Sequence, residues 1–169
     1  MPIRPATAAD LPAITAIFND VIATSAAIYA DDPLTLEDRA AWFAARQALR
    51  YPVLVADEGD GVLGLASFGD FRPWPGFRHS VEHSVHIRAD ARGKGLGSAL
   101  VAALFEPARA LGKHVMIAGV DAANEGSIRM HERLGFVRGA VLREVGRKFD
   151  RWLDLEFMQK FLDAPGAPR

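Results

Sequence analysis

Arg92-Gly93-Lys94-Gly95-Leu96-Gly97-Ser98 joins a strand-like run to an amphipathic helical one. Glycines let a backbone turn tightly and bring its N–H groups close to a ligand without a Cβ in the way. The helix start that follows adds unpaired donors and partial positive charge, the makings of a pyrophosphate cradle. Arg92 and Lys94 add screening cations. From the glycines alone, a plain turn into a helix reads equally well. A P-loop requires GxxxxGK[ST], which does not precede Gly97-Ser98. A dinucleotide fingerprint requires GxGxxG, whereas these glycines are spaced GxGxG. Neither motif belongs in mid-chain after a meander, where this turn falls.

Working outward, Ile3-Arg4-Pro5 reads as an opening strand. Thr7 to Asp10 reads as a capping box, and Leu11, Ile14, Phe18, Val21 and Ile22 recur at helical spacing. A second box at Thr35 to Asp38 opens a helix to about Leu49, with 25–33 irregular between the two. The apolar runs 53–56 and 62–68, separated by Asp57-Glu58-Gly59-Asp60-Gly61, read as a hairpin. Pro73 and Pro75 exclude a central strand over 71–78, so this aromatic stretch is a loop. Strands are expected over 79–88, 115–120, 137–145 and 152–159, and helices over 95–111 and 126–134, with Gly135 just past the helix end. The order is β-α-α-β-β-β-α-β-α-β-β. That order implies a mixed α/β sheet with several antiparallel neighbours, not a doubly wound repeat.

The chain has 169 residues, half of them hydrophobic. That is ordinary globular composition. One domain over 1–163 with a short tail over 164–169 is expected. A chain this long buries roughly two-thirds of its unfolded surface and needs no staple. It contains no cysteine, which excludes thiol nucleophiles and Cys-zinc sites and makes the cytoplasm the simplest home. Lys and Arg number twenty against twenty-one Asp and Glu, for a net charge of −1. Nucleic-acid binding would call for a basic excess. The N-terminus lacks a signal-peptide pattern and no run is long enough to span a membrane, so a small-molecule partner is expected.

The glycine segment matches the (Q/R)xxGxG/A signature, and the chain resembles the GCN5-related N-acetyltransferases (GNAT). Asn124 with Glu125-Gly126-Ser127, then Arg133-Leu134-Gly135-Phe136, fit the same resemblance, as does the order of elements. The segments 66–70, 76–78, 81–85 and 146–155 are similar to one subgroup, the phosphinothricin and methionine sulfoximine N-acetyltransferases. The resemblance implies the GNAT fold and acetyl-CoA as cosubstrate. It implies direct transfer to the α-amine of a small amino-acid analogue, with no acyl-enzyme and no metal. It also suggests a homodimer and a detoxifying role.

The resemblance assigns roles by position. The strand before the turn splays and binds pantetheine through Val85, His86 and Ile87. The pyrophosphate falls on Arg92, Gly93, Lys94, Gly95, Leu96, Gly97 and Ser98, and Asn124 holds the pantetheine arm. Glu82 is the expected base, acting through a water, with burial raising its pKa. The alternative for Glu82 is a solvated strand-face carboxylate. His131 stands where many relatives carry a tyrosine as leaving-group acid; a core-facing helix residue is the alternative. Substrate contacts fall on Pro75, Gly76 and Phe77, with Arg72 or Arg78 as the carboxylate receptor. Trp74, Phe77 and Tyr29 would wall the side-chain pocket, unless the loop is an apolar plug or dimer contact.

His83 and His86 resemble a metal pair, but residues three apart on a regular strand point to opposite faces. Ser84 has no nucleophile-elbow sequence around it. Two further functions stand as alternatives. One is an acetyltransferase acting on a protein N-terminus or an aminoglycoside, and the other is a non-catalytic CoA-binding module.

Overall fold

A computed structural model describes residues 2–59 and 61–162. The expected tail over 164–169 lies outside the described residues. The chain runs β1 (Ile3–Pro5), α1 (Leu11–Thr24), α2 (Leu36–Ala48), β2 (Val53–Asp57), β3 (Val62–Asp70), β4 (Ser80–Ile87), α3 (Leu96–Ala103), α4 (Phe105–Ala110), β5 (Val115–Asp121), α5 (Glu125–Arg133), β6 (Val137–Lys148) and β7 (Arg151–Phe161). The strands form one seven-stranded sheet in the order β1-β2-β3-β4-β5-β7-β6. Every neighbouring pair is antiparallel except β4 and β5, which run parallel. The mixed α/β architecture read from the sequence is the one observed. No helix among the described residues is long and apolar enough to cross a membrane.

Helices cover both faces of the sheet, which is why β2 and β3 are unbroken apolar runs rather than alternating ones. On one face α1 and α2 bury Leu11, Ile14, Ile17 and Phe43 against Val53, Val55 and Leu65. On the other, α3, α4 and α5 bury Leu100, Val101, Leu104, Ala108 and Ile128 against Leu54, Ala66, Val81 and Met116. Both caps form where the sequence placed them. The Asp38 carboxylate accepts from Thr35 N while Thr35 Oγ1 accepts from Asp38 N. The Asp10 carboxylate accepts from Thr7 N and also from Arg4.

The single helix expected over 95–111 is in fact two. The apolar spacing of Val101, Leu104, Phe105 and Ala108 continues across the break, but Pro107 has no N–H to give Ala103. The chain turns at Leu104, whose N–H reaches only to Val101 O at 3.1 Å, and restarts at Phe105. The last two strands are longer than expected. They join through Phe149 and Asp150, both with positive φ, in the twist-matched manner of a tight hairpin.

Candidate active site

The sheet parts at its centre. β4 and β5 pair from Ser80↔Val115 to His83↔Ala118 and no further. Beyond that point the two strands diverge, while β4 stays paired with β3 as far as Ile87↔Gly64. A cavity of about 290 Å³ opens in the gap, lined by Glu82 to His86 of β4, Ala118 to Asp121 of β5, and Asn124 and His131 of the segment after it. Phe18, Ala27 and Ile28 close it from the α1 side. Val85, Asn124 and Ser127 are shared with a second cavity of about 500 Å³, which continues past Ile87 to the glycine turn. Arg92, Gly93, Gly95, Leu96, Gly97 and Ser98 all line this second space. Lys94 lines neither.

The turn is built as a cradle. Gly93 and Gly95 have φ of +77° and +79°, and a Cβ on either would meet nothing within 4 Å. Glycine is therefore required here by backbone conformation, with open space in front of it. The first intrahelical bond of α3 runs from Ala99 N to Gly95 O, so the N–H groups of Leu96, Gly97 and Ser98 have no helical partner. The Leu96 side chain is buried in the core, and its role here is confined to its backbone. Arg92 Nε donates to Ile87 O at 3.1 Å, which ties the cradle to the end of β4. These features fit an acyl-coenzyme A. Oriented amides meet a diphosphate, and an unpaired strand edge lies in line with them for the pantetheine amides.

Glu82 projects into the gap. Burial raises its carboxyl pKa above the ordinary value of 4.5, with Arg72 pulling the other way. Strand alternation separates the histidines as expected. His86 packs edge-on against Phe18 on the α1 side, and burial, then Arg39 and Arg92, push its pKa down to about 4. His83 faces α5 instead, against His131 and Phe136. Among the described residues, no group of three or more His, Asp or Glu is placed to hold a metal ion.

His131 is buried. Its Nδ1 lies 2.7 Å from Ser127 O and its Nε2 3.1 Å from His83 Nε2. Of the two readings of this residue, the core-facing one describes its position, although its ring also borders the cavity. Asn124 caps α5, its Oδ1 accepting from Ser127 N at 3.0 Å.

The loop between β3 and β4 presents exposed aromatics and approaches Glu82 through the charge of Arg72. Trp74 is 71% exposed and Phe77 40%, and Phe77 packs on Phe71. Arg78 donates to Pro75 O within its own loop. Tyr29 lies against Gly146 on the β6–β7 side, its hydroxyl 3.4 Å from Asp154 O. None of Arg72, Trp74, Pro75, Gly76, Phe77, Arg78 or Tyr29 lines these cavities. The expected aromatic wall of Trp74, Phe77 and Tyr29 is therefore not assembled within one chain. Of the two arginines, only Arg72 acts on Glu82.

Phe18, Ala27, Ile28, Gly119 and Ser127 were not expected at the site. Four of them are small or apolar and carry no chemical signature, and the helical spacing of Phe18 marked it only as core. The strand divergence is what brings them together.

The profile of the acetyltransferase (GNAT) domain matches residues 1–137. An L-methionine sulfoximine/L-methionine sulfone acetyltransferase of Pseudomonas paraeruginosa is 54% identical over 162 residues, covering 95% of this chain and 94% of that protein. A Salmonella typhimurium acetyltransferase structure, solved with its cofactor acetyl-CoA, superposes with a TM-score of 0.95 at 50% identity, covering 99% and 97% of the two chains. A phosphinothricin acetyltransferase from Sinorhizobium meliloti in complex with acetyl-CoA gives 0.94 at 37% identity, covering 99% and 91%. With a cradle and gap of this form and relatives matched over nearly their whole length, the chain belongs to the GNAT acetyltransferase family.

Proposed function

We propose that this protein acetylates the α-amine of small amino-acid analogues of the methionine sulfoximine, methionine sulfone and phosphinothricin type. The observation that carries this reading is the continuity of the gap. One space runs from the α3 amides, along the free edge of β4, to the Glu82 carboxylate. Acetyl-CoA, when bound, supplies an activated acetyl thioester. The α3 N-terminus holds its diphosphate through the amides of 96–98, with Arg92 alongside. Asn124 Oδ1 is occupied by its cap, so Nδ2 is the group that meets the pantetheine arm. The unpaired edge of Val85, His86 and Ile87 takes that arm as a further strand and points an N–H at the thioester carbonyl.

The incoming amine is mostly ammonium at neutral pH and must lose a proton before it attacks. Glu82 receives it, directly or through one water. The C–N bond forms, the C–S bond breaks, and the departing thiolate takes up the second proton that the nitrogen releases as it becomes an amide. Arg72 takes the substrate carboxylate, with its guanidinium held over the Phe71 ring at 4.2 Å. A homodimer and a cytoplasmic location complete the proposal. Val137, Val145 and Trp152 are exposed on the β6–β7 hairpin at one end of the sheet, apolar surface that a second copy would cover.

A thiol-release assay with purified protein tests the reading. Turnover of methionine sulfone or methionine sulfoximine supports it. Turnover confined to peptides or aminoglycosides, or acetyl-CoA binding without any turnover, overturns it.

A further inference from the structure

We propose that Gly119 is a positioning residue for the Glu82 carboxylate, its bare Cα forming the seat in which Oε1 rests. The inference builds on the reading of Glu82 as the base. Glu82 pairs with Ile117 across the parallel β4–β5 ladder. Gly119 lies two residues further along β5, past the last paired position, and walls the same cavity. A Cβ on Gly119 would stand 2.9 Å from Glu82 Oε1, closer than side-chain carbons pack. Its next neighbours, Leu155 Cδ1 at 3.5 Å and Phe157 Cε1 at 3.7 Å, are at ordinary contact distance.

Backbone conformation gives no reason for glycine here, because Gly119 is not among the glycines with positive φ. A glycine inside a strand is a cost in conformational entropy, and it commonly marks a place where another group must come close. Among the described residues, the only group that comes too close for a side chain at Gly119 is the carboxylate. Among the described residues no hydrogen bond fixes that carboxylate, so the shape of its surroundings decides where it sits. Arg72 is the charged group acting on it. An alanine at 119 therefore leaves sheet and cradle intact but moves the proton acceptor off its position, and small misplacements of a reacting group cost rate steeply.

The test compares Gly119→Ala, Glu82→Gln and the double variant. Three readouts are the pH profile of kcat for acetylation of methionine sulfone, acetyl-CoA affinity by calorimetry, and the NMR titration of the Glu82 carboxyl in the free protein. Gly119→Ala is expected to keep parental Tm and acetyl-CoA affinity, to lower kcat about tenfold or more, and to shift the Glu82 titration midpoint. In the Glu82→Gln background the same alanine should cause no further loss. An unchanged kcat profile and midpoint in Gly119→Ala, with Glu82→Gln inactive, removes the inference and leaves the base in place. The same fold loss in both backgrounds, or a Gly119→Ala chain that does not fold, also removes it, since the glycine would then serve the sheet. Full activity in Glu82→Gln instead brings down the base itself.

Discussion

His83 and His131 meet through their Nε2 atoms, 3.1 Å apart, in the core between β4 and α5. His131 Nδ1 lies 2.7 Å from Ser127 O, a pure acceptor, so it carries the proton. Its Nε2 then accepts, and His83 Nε2 donates. This assignment follows from the hydrogen-bond network. Among the described residues His83 Nδ1 is buried with no partner. The pair is self-contained and neutral, and the one N–H of His131 is directed at its own helix rather than at the gap.

That neutrality links stability to pH. Burial, then His131 and His86, push the His83 pKa from 6.5 to about 3, and His86 falls to about 4. Both values lie below those of the unfolded chain, which therefore binds more protons below pH 6.5. The stabilisation is fully present above that pH and is lost as the pH falls toward the folded values. Unfolding free energy measured at about pH 7.5 and again at about pH 5 should drop by about 2 kcal/mol per histidine. His83→Leu should flatten the dependence.

Replacement of Glu82 by glutamine should lower kcat by about 10²- to 10⁴-fold while acetyl-CoA still binds. The parent should show an acid limb in kcat/KM above the ordinary glutamate range, because burial raises this carboxyl. Arg72 lowers it, so Arg72→Ala should move the limb to higher pH. The same variant should raise KM for amino acids much more than for their decarboxylated amines. An acid limb in the same place in both proteins would remove Arg72 from the site.

Gly95→Val should act on the cofactor first. Valine at a φ of +79° carries about 1–2 kcal/mol of left-handed strain, which lowers Tm by a few degrees. Loss of one charge-assisted amide contact should weaken acetyl-CoA binding about tenfold or more in a calorimetric titration. A folded variant with parental affinity would contradict the cradle.

Lys148 holds the floor of the gap from a distance. Its Nζ donates to Ile22 O, Ser25 O and Ile28 O at 2.6, 2.8 and 2.7 Å, which joins the end of α1 to the loop that carries Ala27 and Ile28. Lys148→Met leaves three carbonyls to find other donors and should cost about 2–3 kcal/mol. KM for the amine should rise with little change in acetyl-CoA affinity. Denaturant titration and steady-state kinetics separate the two effects.

Arg138 is half exposed, but it pairs with both oxygens of Glu156, which is buried, at 2.6 and 2.8 Å. Arg138→Ala should lower the denaturation midpoint, because it strands a buried carboxylate. Removing both partners, with Arg138→Leu and Glu156→Met together, should restore most of the loss in the same denaturation experiment.

What could be read in advance was local. The capping boxes at Thr7 and Thr35, the glycine turn and the opposed faces of His83 and His86 each depend on a few neighbouring residues. The break at Leu104 was in principle visible from Pro107, but the apolar spacing ran straight through it. The place of the aromatic loop was not legible, because distant residues set it. Lys113 Nζ donates to Arg78 O at 2.8 Å and to the Tyr51 hydroxyl at 2.9 Å, and that hydroxyl bonds to Asp70. These contacts pin both ends of the loop from the α2–β2 connection, the α4–β5 connection and the end of β3, and no short pattern records them. Gly119 escaped notice because its meaning lies in the side chain of another strand.

The interruption between β4 and β5 leaves the sheet incomplete at its centre. On the side of the gap, main-chain groups beyond His83 and Ala118 lack the strand partner they keep on the other side, and a ligand threaded there would finish the ladder. Such a ligand binds the native state alone, so its concentration sets the protein's resistance to heat and proteolysis. At a hundredfold excess over Kd the gain is about 2.7 kcal/mol. A cell whose acetyl-CoA pool falls would thus lose this catalyst through faster turnover of the chain as well as through lack of substrate.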